Sequence, residues 1–152
     1  MLNFSKRLDY ALASLAYLAK LDTPVNARTV AQFYQFPPRL TSNILKELAS
    51  KNILKSTRGA YGGYLLARKA TEVSVYEIIL AIEGPVGLVD CTLHGRGCNA
   101  ITFCSANAFM NYIHNHITSL LKRIKLADIL RAEFTFSNFF IADKSHPFVK
   151  NV

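Results

Sequence analysis

Apolar residues recur every three or four positions through the first third of the chain, which is typical of helices that pack one face against a core. The pattern covers residues 6–20, 27–34 and 38–51, with short polar breaks between them. Asn26 can cap the second segment, and Pro38 suits the first turn of the third. We therefore predict three short amphipathic helices.

A tight break at residues 35–37 separates the second and third helices, which predicts a helix-turn-helix. Two short runs rich in β-formers follow at residues 53–57 and 64–67, and the stretch between them contains three glycines. Such runs predict a β-hairpin. A hairpin directly after a helix-turn-helix is a wing, so the expected fold is mainly α with a small β-wing.

Two further helices are predicted beyond the wing. Ser74 and Glu77 form a capping-box pattern, and the helix that they open ends at residues 84–85, Gly-Pro. From Ala106 to about Asp128, apolar residues form a stripe long enough for a dimerisation helix. The expected organisation is a winged helix-turn-helix domain at 1–84, a cysteine-rich loop at 85–105, a dimerisation helix at 106–130 and an unassigned tail at 131–152.

Charge divides the chain into two halves. The 152 residues carry a net charge of +8, and 51% of them are hydrophobic, enough for an ordinary core. Residues 1–70 have 11 Lys/Arg against 3 Asp/Glu, whereas residues 71–152 have 7 of each. A basic half predicts an anionic partner, either nucleic acid or a lipid surface.

The location of the basic residues favours DNA, because the excess coincides with the predicted helix-turn-helix and wing. Outward positions of the third helix and the wing have side chains that reach phosphates and base edges. The predicted DNA contacts are Lys6, Arg28, Arg39, Thr41, Ser42, Asn43, Lys46, Arg58, Tyr61, Gly62 and Gly63. Glycine at the wing tip would also let backbone N–H groups approach a phosphate.

The sequence favours a cytoplasmic protein. The N-terminal segment is interrupted by charge and lacks a small-residue cleavage site, so it is not expected to be a signal peptide. No run of 18 apolar residues occurs, so no membrane span is expected. We also expect no small-molecule substrate and no enzymatic activity, because a nucleotide fingerprint and an acid/base pair are both missing from the sequence.

Three cysteines, Cys91, Cys98 and Cys104, lie within one 14-residue window. Their spacing is too long for paired zinc knuckles or for a thioredoxin-like C-x-x-C. Three thiolates with a fourth ligand fit an iron–sulfur cluster. Zinc, a thiol/disulfide switch and inert buried thiols remain open on spacing alone, and His94 inside the loop is a further candidate ligand.

The order of these elements, the wing sequence TRGAYGGYLLARK, the lead-in LVDC and the three-cysteine loop together resemble the Rrf-two family of bacterial regulators, which includes the IscR, NsrR and RirA types. The likeness covers about residues 1–130. It implies a homodimeric winged-helix transcription factor, with repression as the expected mode. Each subunit would bind one 2Fe–2S or 4Fe–4S cluster through the three cysteines, and promoter binding would change with cluster state.

The resemblance also bears on the fourth ligand. In the IscR type it is a histidine three residues after the last cysteine, where this chain has Asn107. In the NsrR type it is an aspartate on the first helix of the partner subunit, and Asp9 stands at the matching place in SKRLDYAL. Asp9 is therefore the expected fourth ligand. Nitric oxide, iron or cluster supply and redox state are the candidate signals.

Two other functions remain open at this point. A regulator without a cluster could respond through thiol oxidation among the three cysteines. A small iron–sulfur electron-transfer protein would use the same ligands without binding duplex DNA, so salt-dependent duplex binding would speak against it.

Overall fold

The computed structural model describes residues 4–59, 61–87 and 104–131. Within them the chain forms, in order, α1 (Lys6–Leu18), α2 (Ala27–Tyr34), α3 (Pro38–Ser50), β1 (Leu54–Thr57), β2 (Gly63–Leu66), α4 (Val75–Ile82), α5 (Ser105–Arg123) and α6 (Leu126–Leu130). This is the mainly helical fold with a small two-stranded sheet that the sequence predicts. Cys91, Cys98 and the tail from residue 132 lie outside the described residues.

Helices α1, α3 and α4 pack around one core, and α2 packs against α3. Leu8, Leu15, Leu45 and Ile78 are fully buried there, and Leu126 of α6 joins them. Burying a Leu or Ile side chain contributes about 1.5–3 kcal/mol relative to leaving it exposed. Burial of one side of α3 in this core therefore determines the orientation of the helix.

Side-chain caps start the helices where the sequence predicts. The Asn26 side chain accepts a hydrogen bond from the backbone N–H of Thr29 at 2.8 Å, which caps α2. At α4 the capping box is complete, because the Ser74 hydroxyl accepts from the N–H of Glu77 and the Glu77 carboxylate accepts from the N–H of Ser74. Each cap satisfies a backbone donor that the helix leaves unpaired.

The turn between α2 and α3 needs one unusual backbone conformation. Gln35 ends α2 with φ 55° and ψ 35°, which is left-handed. This lets the next N–H, that of Phe36, donate to the carbonyl of Ala31 at 2.9 Å, while the Phe36 ring stacks on Tyr10 of α1 at 4.0 Å between centroids. The stacking helps hold α3 in place against α1 and α2.

The predicted long helix from Ala106 to about Asp128 is broken near its end, so that prediction was wrong in length. Ile124 has φ −68° and ψ 125°, which is extended backbone. There the chain pairs with the segment before α4: the N–H of Val75 donates to the Ile124 carbonyl at 2.9 Å, and the N–H of Leu126 donates to the Val73 carbonyl at 2.8 Å. These long-range bonds, together with burial of Leu126, replace the helical bonds.

Candidate nucleic-acid interface

The outer face of α3 is polar and cationic. Arg39, Asn43 and Lys46 are exposed and Ser42 is half-buried, whereas the opposite side of the helix lies in the core. Neither Arg39 nor Lys46 forms an ion pair with a carboxylate in the part of the chain that the structure describes. Both charges are therefore free to meet an anion.

Thr41 is a correction to the predicted contacts. Its side chain is completely buried, and its hydroxyl donates to the carbonyl of Pro37 at 3.1 Å. A hydroxyl that bonds back to the preceding turn behaves as part of the helix interior. Thr41 therefore cannot reach a ligand at the surface, although its neighbours in sequence can.

The wing is held firmly against the helix-turn-helix. Strands β1 and β2 pair antiparallel from Leu54 opposite Leu66 to Thr57 opposite Gly63. On its other edge, Tyr64 exchanges two backbone hydrogen bonds with Val25, of 2.8 and 3.0 Å. Because residue 25 leads directly into α2, the wing position is coupled to that helix.

Two predicted contact residues, Gly62 and Gly63, are required by close backbone approach. A Cβ on Gly62 would lie 2.3 Å from the carbonyl oxygen of Thr57, and one on Gly63 would lie 2.4 Å from the backbone of Val25. The N–H of Gly62 donates to the carbonyl of Gly59 at 2.9 Å. This donor is thus already used within the wing, and the requirement for glycine at position 62 comes from the close approach of the Thr57 carbonyl.

Other cationic and aromatic residues of the predicted set lie at the tip and beside it. Arg58 is exposed, and Tyr61 is 96% exposed. Tyr61 and Gly62 line one cleft together with the first turn of α2, where Arg28 is also exposed. Lys6 is exposed on α1, but no described contact brings it to α3 or the wing.

Two ion pairs tie the interface to the body of the domain. Arg7 of α1 reaches Glu47 of α3 at 2.6 Å, and Arg68 at the end of the wing reaches Glu77 of α4 at 2.7 Å. Neither pair was predicted from the sequence, because the two partners are 40 residues apart in one pair and 9 in the other, and no local pattern indicates such contacts.

Glu77 is also the carboxylate of the α4 capping box. Desolvation by burial acts to raise its pKa, but hydrogen bonds from Ser74 and Arg68 outweigh it and lower the pKa of Glu77 to about 2. The carboxylate therefore stays charged through the physiological range. It holds the wing to α4 for as long as it is ionised.

The predicted cluster ligands are described only in part. Cys104 is a free, half-buried thiol at the N-terminal end of α5. Asp9 is exposed in the first turn of α1 and has no ion pair within residues 4–59, 61–87 and 104–131. Asn107 lies one turn after Cys104, and its side-chain oxygen accepts a hydrogen bond from Asn111 at 2.7 Å. No group of three or more candidate metal ligands is formed by the residues that the structure describes.

Among the helices within residues 4–59, 61–87 and 104–131, none has both the length and the hydropathy that a membrane span requires.

The sequence is similar to those of known helix-turn-helix transcriptional regulators. An HTH-type transcriptional regulator of Mycobacterium tuberculosis is 32% identical over 90 residues, which cover 58% of this chain and 56% of the relative. This chain thus spans little more than half of that relative's length. The regulator NsrR of Geobacillus kaustophilus is 26% identical over 125 residues, covering 80% of this chain and 85% of NsrR.

Among solved structures, CymR, the global cysteine regulator of Bacillus subtilis, superposes with a TM-score of 0.69 at 25% identity, covering 86% of this chain and 97% of CymR. The family model Rrf2, described as an iron-dependent transcriptional regulator, matches residues 4–132. The chain therefore belongs to the Rrf2 family of transcriptional regulators.

Proposed function

We propose that this regulator binds duplex DNA with the exposed face of α3 in the major groove and the wing on the adjacent backbone. The observation that carries the proposal is the row Arg39, Asn43 and Lys46, which is exposed and free of ion pairs within the described chain. Arg and Asn can read base edges, and Lys neutralises phosphate. The buried side of α3 holds that row rigidly.

Duplex binding measured against salt concentration tests this contact. The probe is a fluorescent duplex enriched from a randomised library by the wild-type protein. Replacing both Arg39 and Lys46 by Ala should weaken binding at least about tenfold and should lower the slope of log affinity against log salt by about two. Arg131→Ala, at the residue that follows α6, removes one charge outside the predicted contact set as a control. An unchanged slope in the double variant would contradict the proposal.

The protein is proposed to act as a homodimer through α5. None of the described side chains of this 19-residue helix is fully buried, and Phe109 and Tyr112 are 62% and 40% exposed. Aromatic side chains are enriched at the centres of protein interfaces. A second copy of the chain is the partner that covers such a face in a symmetric regulator.

An iron–sulfur cluster, 2Fe–2S or 4Fe–4S, is the proposed sensor, held by Cys91, Cys98, Cys104 and Asp9 of the partner subunit. The described donors fit this role: Cys104 is not in a disulfide, and the Asp9 carboxylate has no cationic partner among described residues. Asn107 fits less well, because its oxygen already accepts from Asn111. When bound, the cluster would supply a centre sensitive to nitric oxide, iron supply or redox state.

A thiol switch without a cluster is the second candidate. It is favoured by the similarity to the cysteine regulator CymR and by the free thiol of Cys104. Anaerobic purification with iron and sulfide assays separates the two. Equal amounts of bound iron and sulfide support the cluster if both amounts fall in Asp9→Ala and stay unchanged in the control Asn107→Ala. A colourless protein that forms reversible disulfides supports the thiol switch.

A further inference from the structure

Glu47 is the single carboxylate in the DNA-facing part of the sequence. No other Asp or Glu occurs between residues 23 and 71. Glu47 follows Asn43 by four positions, so the two side chains are neighbours on the surface of α3. An unpaired carboxylate at this position would repel the phosphates of a bound duplex.

The structure gives Glu47 a cationic partner from another helix. Arg7 lies in the first turn of α1, and its Nη2 donates a hydrogen bond to Glu47 Oε2 with an N···O distance of 2.6 Å. The two side chains are 46% and 35% exposed. A charge-assisted bond of this length both neutralises the carboxylate and ties α3 to α1. At this exposure its contribution to folding stability is small.

We propose that Arg7 is a positioning residue for DNA binding: by pairing with Glu47 it removes the one negative charge from the α3 face and holds that side chain against α1. The inference rests on the proposed contact between α3 and DNA. It differs from a direct contact, because Arg7 acts only through Glu47. Its effect should therefore disappear when residue 47 carries no charge.

A double-mutant cycle measures this dependence with the library-enriched duplex. Arg7→Gln should weaken binding about tenfold, Glu47→Gln should leave it within about twofold or strengthen it, and the double variant should match Glu47→Gln. Arg7→Lys should restore most of the affinity. Thermal unfolding of each variant should change little, and Arg131→Gln controls for loss of one positive charge outside the interface.

The results of the cycle distinguish failure of the proposed role of Arg7 from failure of the proposed contact between α3 and DNA. If Arg7→Gln weakens binding equally with Glu or Gln at position 47, Arg7 contacts DNA directly and the inference is overturned. No effect of Arg7→Gln overturns it as well. A silent Lys46→Ala variant in the same assay overturns the proposed α3 contact, whereas an intact Lys46 effect without coupling in the cycle overturns only the role of Arg7.

Discussion

Helices α3 and α5 both carry apolar residues three or four positions apart, yet only α3 buries them completely within the chain, whereas α5 is partly covered by α4 and the core. Ile44, Leu45 and Leu48 of α3 are completely buried, whereas α5 has no fully buried side chain in its described part. Periodicity therefore predicts that a helix has an apolar face, but not what covers the face. For α3 the core covers it, and we propose that the opposite face binds DNA; for α5 we propose that a second subunit covers the apolar face.

The largest expected effect comes from the buried side of α3. Leu45→Ala should lower the free energy of unfolding by about 2–5 kcal/mol, because it removes methyl groups from a packed core and leaves a cavity. Thermal or urea denaturation measures the loss. A matching loss in Asn43→Ala, on the exposed face of the same helix, would contradict the division of α3 into a core side and a surface side.

Helix α5 should respond in its association equilibrium and not in the folding of one chain. Replacing Phe109 and Tyr112 by Ala should weaken dimerisation by about 2 kcal/mol, roughly thirtyfold, if these rings form the centre of the interface. Sedimentation velocity over a concentration series measures it. Asn115→Ala on an exposed position of the same helix is the control. A dimer of unchanged affinity would show that α5 is covered by something else.

Two glycines of the wing differ in why a side chain is unfavourable there: Gly63 lies against another backbone segment, whereas Gly59 has a positive φ in open surroundings. Gly63→Ala should cost about 1–3 kcal/mol, since its Cβ would meet the Val25 backbone at 2.4 Å. Gly59→Ala should cost less, about 1 kcal/mol, because its φ of 114° is unfavourable for a side chain while its surroundings are open. Thermal unfolding of both variants tests the order. A larger loss for Gly59→Ala would mean that conformation, and not close approach, sets the requirement in this wing.

What the sequence could predict was local. The caps at Asn26 and Ser74 and the ends of α2 depend on residues within four positions, and they were predicted correctly. The break at Ile124 was missed because it depends on hydrogen bonds to residues 73–75, about 50 positions away in the chain. Thr41 was misplaced because a short polar side chain, which usually marks a surface, here bonds to its own helix.

A second short polar side chain, that of Ser14 in α1, is also buried in the core. Ser14 is completely buried, and its hydroxyl has no hydrogen-bond partner in the described structure. Ser14→Ala should stabilise the fold by about 1 kcal/mol, because an unsatisfied buried hydroxyl is removed and Ala favours a helix. Ser50→Ala, at an exposed helix end, should be close to neutral. Destabilisation by Ser14→Ala in thermal unfolding would reveal a partner for the hydroxyl.

The smallest effect is expected where the wing meets α4, in acid. Because the pKa of Glu77 is lowered to about 2 in the folded protein, its ionised form stabilises the fold above its ordinary pKa near 4.5, and this contribution is lost as the pH falls toward 2. Its side chain is 37% exposed, so solvent screens the pair with Arg68 and keeps the effect small. Glu77→Gln should flatten the dependence of unfolding free energy on pH between about 4.5 and 2, as measured by denaturation at a series of pH values. An unchanged slope in Glu77→Gln would contradict a contribution of this carboxylate to acid stability, and would leave the wing held by its backbone bonds to Val25 and by the packing of Tyr64 and Leu66 against the core.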